Sequence, residues 1–141
     1  MAKTPGHEVN VPDLLPVWCR RSFMRVCDCA DLLNAKILVK TDSFEEDLKI
    51  ACGSDLMSDV MAFSSDDSQI MITGLVNPQT IRTAEMLDVK VIIFVRGKVP
   101  DETMQELAAD KGIGLMTSPL SMFTCCGLLY EAGLRGKEAA V

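Results

Sequence analysis

A chain of 141 residues is long enough for a single domain with its own core. Its formal net charge of -6 excludes both the basic footprint of a nucleic-acid binder and docking on an anionic membrane surface. The longest clean apolar run, Val91 to Val95, is far short of the roughly 18 residues that suggest a membrane span.

The N-terminal MAKTPGHEVNVPD lacks an apolar export core, so the chain is expected in the cytoplasm. The six cysteines, Cys19, Cys27, Cys29, Cys52, Cys125 and Cys126, are then expected to be reduced thiols. Their spacing matches no common zinc site, and the one histidine, His7, lies in a polar stretch.

Residues 1–21 carry Pro5, Gly6, Pro12 and Pro16 without periodicity and read as an N-terminal arm. It is either disordered or packed on a surface through Leu14, Leu15 and Trp18. The domain proper spans 22–133, and 134–141 form a frayed C-terminal tail. Phe23, Val26, Ala30 and Leu33 predict a helix over 22–34. Arg20, Arg21 and Arg25 stand at its start, as a solvated face with acidic partners such as Asp28 or as an anion or subunit contact.

A strand over 36–41 leads to the Thr41-Asp42-Ser43 turn. Leu48, Ile50 and Cys52 then alternate as one strand, and Gly53 breaks it. Ser54 or Asp55 caps a helix whose inner stripe is Leu56, Met57, Val60 and Met61. The polar loop SSDDS, 64–68, precedes a strand at 69–73. Asn77-Pro78 opens the next helix, with Ile81, Ala84 and Leu87 inward.

The run VKVIIFV over 89–95 reads as a strand buried on both faces. Arg96-Gly97 turns the chain into an acidic helix from about Pro100 to Lys111, closed by Gly112. A short strand at 113–116 and a helix from Ser118-Pro119 to about Ala132 complete the domain. The inner face of that last helix is expected to be Met122, Phe123, Cys126, Leu129 and Tyr130. Alternating strands and helices predict a three-layer α/β domain with a parallel or mixed central sheet between helices.

Gly53, Ser54 and Asp55 are candidate ligand contacts, because a strand-to-helix turn can aim free N–H groups at an anion. The alternative is an ordinary capped turn. Thr117 and Ser118 join the candidates, as does Thr41-Asp42-Ser43 if all strands run parallel, since ligands of open sheets collect on one rim. Asp55 and Asp59 read as solvated acids, two carboxylates being an incomplete shell for a divalent cation. Cys27-Asp28-Cys29 diverges on a helix but could form a metal loop with Cys19. No phosphate loop, dinucleotide fingerprint, zinc-protease or nucleophile-elbow motif occurs, so no catalytic residues, metal or cofactor are assigned.

Three stretches carry a resemblance over Val26 to Gly133: DLKIACGSDLMSDVMAF, VKVIIFVRGKVPDETMQELAADKGIGLMTS and SPLSMFTCCGLLYEAGL. In their order and spacing the chain resembles the DRTGG domain family. Asp47 and Gly53 match the ends of the eponymous motif, while Ala51 and Cys52 replace its Thr and first Gly. The family includes small free-standing proteins and modules beside nucleotide-binding CBS domains, and its fold resembles the N-terminal domain of HPr kinase. The resemblance implies a non-catalytic regulatory or dimerising module that senses a small ligand such as an adenine nucleotide. With the nine methionines it implies an apolar patch covered by a second copy or another protein. The rival expectation is a small redox or metal-binding accessory using Cys27, Cys29 and Cys52.

Overall fold

The computed structural model describes residues 24–63 and 69–137. Residues 1–23, with the arm, Trp18, Cys19 and Phe23, the SSDDS loop at 64–68 and residues 138–141 lie outside the described residues.

Alternation of apolar side chains builds a five-stranded sheet. Its strands are β2 (Lys36–Val39), β4 (Ala51–Gly53), β5 (Ile70–Thr73), β6 (Val91–Phe94) and β7 (Gly114–Thr117), in the order β2-β7-β6-β5-β4. β4, β5, β6 and β7 run parallel, and β2 is antiparallel to β7 through Lys36 opposite Thr117 and Val39 opposite Leu115. The sheet is therefore mixed. The antiparallel edge also corrects one expectation. The Thr41-Asp42-Ser43 turn lies at the opposite rim from the carboxyl ends of the parallel strands, beside Gly112.

Sequential parallel strands joined by right-handed crossovers place their helices on one face. These helices are α2 (Met57–Phe63), α3 (Pro78–Met86) and α4 (Glu102–Asp110). Met57, Val60, Ile81, Ala84, Met104 and Ala108 pack there on Met71, Ile92, Phe94 and Leu115. The other face carries α1 (Val26–Leu32) and α5 (Met122–Glu131). Cys29, Ala30, Leu33, Cys125 and Leu129 meet Ile70, Ile72, Val91, Ile93 and Met116 on that side. Period-two alternation in β5 and β6 thus feeds both cores, which is why every residue of these strands is buried.

Local signals set most helix ends. The Asn77 carboxamide accepts from the N–H groups of Gln79 and Thr80, with Pro78 in the first turn. Asp101 caps α4 by accepting from Met104 N–H, and Gly112 follows it at φ 71°.

Several boundaries differ from expectation. The first helix begins at Val26, because Met24–Arg25 (β1) pairs antiparallel with Asp47–Leu48 (β3) in a separate two-stranded ribbon. The single strand expected through Leu48, Ile50 and Cys52 is consequently two, β3 and β4, with Ile50 bridged to Arg135 between them. α5 starts after Ser121, which accepts from Thr124 N–H, rather than at Ser118-Pro119. Its buried residues are Cys125 and Leu129, while Phe123 is 88% exposed and Tyr130 57%. Leu56 and Met61 are exposed, leaving Met57 and Val60 as the inner stripe of α2. Residues 134–137 do not fray: Leu134 is buried, and Arg135 N–H donates to Lys49 C=O while stacking on the Tyr130 ring.

Candidate functional site

In open α/β sheets ligands collect at the carboxyl ends of parallel strands, above all where successive connections leave for opposite faces. Here β6 leads into α4 on one face and β7 into α5 on the other. The crevice between their ends is closed by backbone bonds. Arg96 N–H donates to Leu120 C=O and Gly97 N–H to Ser118 C=O, each at 2.8 Å. Thr117 Oγ1 donates to Lys98 C=O at 2.6 Å.

Arg96 and Gly97 turn the chain with left-handed φ of 57° and 69°. A left-handed arginine is costly without a constraint that requires it, and here the two backbone bonds supply that constraint. The turn presents both basic side chains of the loop toward β5. Lys98 Nζ donates to Gly74 C=O at 2.8 Å. Arg96 has no hydrogen-bond or ion-pair partner for its guanidinium among the described residues.

Gly74 is the point on which the rim converges. A Cβ there would meet Arg96 Nη2 at 3.2 Å, Asp55 Oδ1 at 3.3 Å and Lys98 Nζ at 3.5 Å. Gly74 has no left-handed φ, so what distinguishes it is the company its missing side chain would keep. Its N–H, just past the end of β5, donates to Asp55 Oδ1 at 2.6 Å, and Thr73 Oγ1 donates to the same oxygen at 3.3 Å. Two cations and a carboxylate thus stand within 3.5 Å of the place a Gly74 Cβ would take, the carboxylate being held by one backbone donor and one hydroxyl.

The structure brings Gly53, Ser54, Asp55, Thr117 and Ser118 to the same rim but gives them different work. Asp55 alone of the five aims an ionised group at the convergence point. Ser54 does not cap a helix: its N–H continues the ladder to Ile72 C=O, and its Oγ accepts from Leu56 N–H in a local turn. α2 starts three residues beyond it, so no helix N-terminus opens at Gly53. The side of Gly53 that lacks a Cβ is filled by Cys126 Sγ, 3.0 Å from the Cβ position. Ser118 is fully buried and donates to Leu33 C=O, tying β7 to the end of α1. The residues the sequence reading missed are Gly74, Arg96 and Lys98. The Arg96-Gly97 turn signal marked their loop but not its direction.

Other candidates are accounted for structurally. Arg25 pairs with Asp28 and Glu45, the acidic partners of a helix start. Cys29 is buried on α1, and burial first, then the Asp28 and Cys27 charges, push its thiol far above the ordinary 9.0. Cys52 packs on the opposite face of the sheet from α1, so Cys27, Cys29 and Cys52 do not assemble. Among the described residues no group of three His, Cys, Asp or Glu side chains is placed to hold a metal ion. Nor is any helix among them long and apolar enough to cross a membrane.

No family model matches the chain, and no curated protein sequence matches it. Among solved structures it is similar to the CBS and DRTGG domains of the regulatory region of Clostridium perfringens pyrophosphatase, complexed with its activator diadenosine tetraphosphate. The TM-score is 0.64 at 19% identity, over 80% of this chain and 51% of that one. The fold is DRTGG-like. This chain spans about half the length of that regulatory region, and at this identity the similarity concerns the fold alone.

Proposed function

We propose that this protein is a non-catalytic regulatory module that senses a small phosphate-bearing anion, with adenine nucleotides as the leading class, and that it works as a homodimer. The observation that carries the reading is the meeting of Arg96 and Lys98 at Gly74, with the Arg96 guanidinium unpartnered among the described residues. In a chain of net charge -6, two cations on one rim make a local exception suited to an oxyanion. Arginine offers a planar fork to phosphate and lysine a point charge with three donors. Asp55, with the Gly53-Ser54 turn behind it, forms the other wall, while Thr117 and Ser118 support the loops. The similarity to a regulatory region that binds a nucleotide activator agrees with this ligand class. The cysteine-based alternative has no comparable assembly of groups among the described residues.

Calorimetric titration of ATP, ADP and AMP into the parent and into Arg96→Gly tests the reading. Glycine takes a φ of 57° without strain, so the variant removes the guanidinium while keeping the turn. Losing one charge-assisted contact should weaken nucleotide binding about tenfold. Absence of any heat with the parent at millimolar nucleotide sinks the sensor reading.

A further inference from the structure

We infer that the Asp55 carboxylate is a built-in occupant of the anion position at Gly74, and that a phosphate oxygen takes the Gly74 N–H in its place. The inference rests on the proposed anion-sensing rim and adds how that rim is filled and emptied.

Gly74 is buried, yet its N–H is used by no neighbouring strand. Ile72 C=O and Thr73 C=O serve the adjacent ladders through Ser54 N–H and Val95 N–H. The Gly74 N–H is the first donor beyond the sheet, and it meets a carboxylate at 2.6 Å, the short distance of a charge-assisted bond. Thr73 Oγ1 donates to the same oxygen. Arg96 Nη2 and Lys98 Nζ stand around the same spot, but neither forms an ion pair with Asp55 among the described residues. Two donors therefore hold the Asp55 oxygen, and two cations stand beside the Gly74 Cβ position without pairing to it.

A phosphate monoester or terminal phosphoryl group carries more charge and more acceptor oxygens, and it can take all four donors together. Lys98 keeps its bond to Gly74 C=O while doing so, since an ammonium has three donors. The two anions cannot share the position. Binding must therefore release Asp55, and with it the Ser54–Leu56 turn that leads into α2 and carries the exposed Leu56. That displaced turn is the structural signal of ligand occupancy.

The test titrates inorganic phosphate, then ATP, into the parent and Asp55→Asn, following the Gly74 amide by 1H–15N correlation. Asparagine still accepts from Gly74 N–H through Oδ1, so the variant removes the charge and keeps a neutral bond. The expected result is phosphate affinity about tenfold higher in the variant, within the usual range of coupling between competing groups. The Gly74 amide should shift on saturation in both proteins. Equal or weaker phosphate binding by Asp55→Asn overturns the inference. So does a parent whose Gly74 amide does not move with bound phosphate, a reading that needs no variant. ATP binding to the parent with no effect of Asp55→Asn leaves the sensor reading standing and removes the occupant. Tighter phosphate binding in the variant, with no nucleotide binding to the parent, supports the occupant and removes the nucleotide sensor.

Discussion

Replacing Gly74 by Ala separates a binding rim from a packed one. The backbone there has no left-handed φ, so alanine fits it without strain, and the smaller conformational freedom of the unfolded chain favours the variant by about 0.4–1 kcal/mol. Against this stand three close approaches, at 3.2, 3.3 and 3.5 Å from the new methyl. All three belong to the ends of Arg96, Asp55 and Lys98 side chains, which yield a few tenths of an ångström by small rotations. The net change in stability should lie within about 1 kcal/mol, a melting shift of roughly 4 °C or less for a chain of this length. Binding should respond very differently. A phosphate oxygen on the Gly74 N–H meets the methyl about where Asp55 Oδ1 does, at 3.3 Å, but a phosphoryl group held there by Arg96 and Lys98 cannot rotate aside as a side-chain end does without losing those donors. Nucleotide affinity should fall at least about tenfold. Melting curves by circular dichroism and calorimetric titration on the same samples read the two effects separately. A variant that binds as the parent does refutes an anion seated over Gly74. One that loses more than about 2 kcal/mol refutes the view that these side chains are mobile at their ends.

Gly114→Ala should be the contrasting case: its Cβ would lie 2.8 Å from Phe44 Cε1 and 3.4 Å from Val39 C=O, and a chemical denaturation curve should show a loss of about 1–3 kcal/mol. The native thiols of Cys29, Cys125 and Cys126 are all held up chiefly by burial, above the ordinary 9.0. Native protein therefore keeps protons that the unfolded chain releases, so stability should be full below about pH 8.5 and decline as pH rises above it; a flat denaturation midpoint from pH 8 to 10 would contradict this. Light scattering should give about twice the 15.4 kDa chain mass, and Phe123→Glu, on the exposed face of α5, should return the protein to monomer with its melting temperature nearly unchanged. A parent that stays monomeric at high concentration removes the dimer.

Much of the fold is local and therefore legible. The β-branched run of β6 announces burial on both faces, and the Asn77-Pro78 and Asp101 starts follow from the hydrogen-bond needs of a helix end. Periodicity records which side of an element is apolar but not what covers it. Leu48 and Cys52 fit one period of two, yet they belong to different sheets, because pairing with Met24 and with Met71 is settled by chain segments far apart in sequence. The direction of β2 was hidden for the same reason, and with it the rim on which Thr41–Ser43 would fall. Phe123 and Tyr130 share helical spacing with an inner stripe, but α5 rotates to bury Cys125 and Leu129 against α1 and the sheet.

The candidate site divides along the same line. Asp55, Thr117 and Ser118 could be chosen from turn chemistry, since polar residues after strands are visible in any sequence. Arg96 and Lys98 could not, because in the sequence they are two basic residues in a surface turn. Their meaning comes from Leu120 and Ser118, whose carbonyls hold the turn left-handed, and from the parallel pairing of β6 with β5, which brings that turn beside Gly74. Gly74 in turn shows its role only through what its absent side chain would touch. Local chemistry determined the elements and their polar ends; long-range hydrogen bonding and strand order, which no local pattern encodes, decided which of those ends face one another.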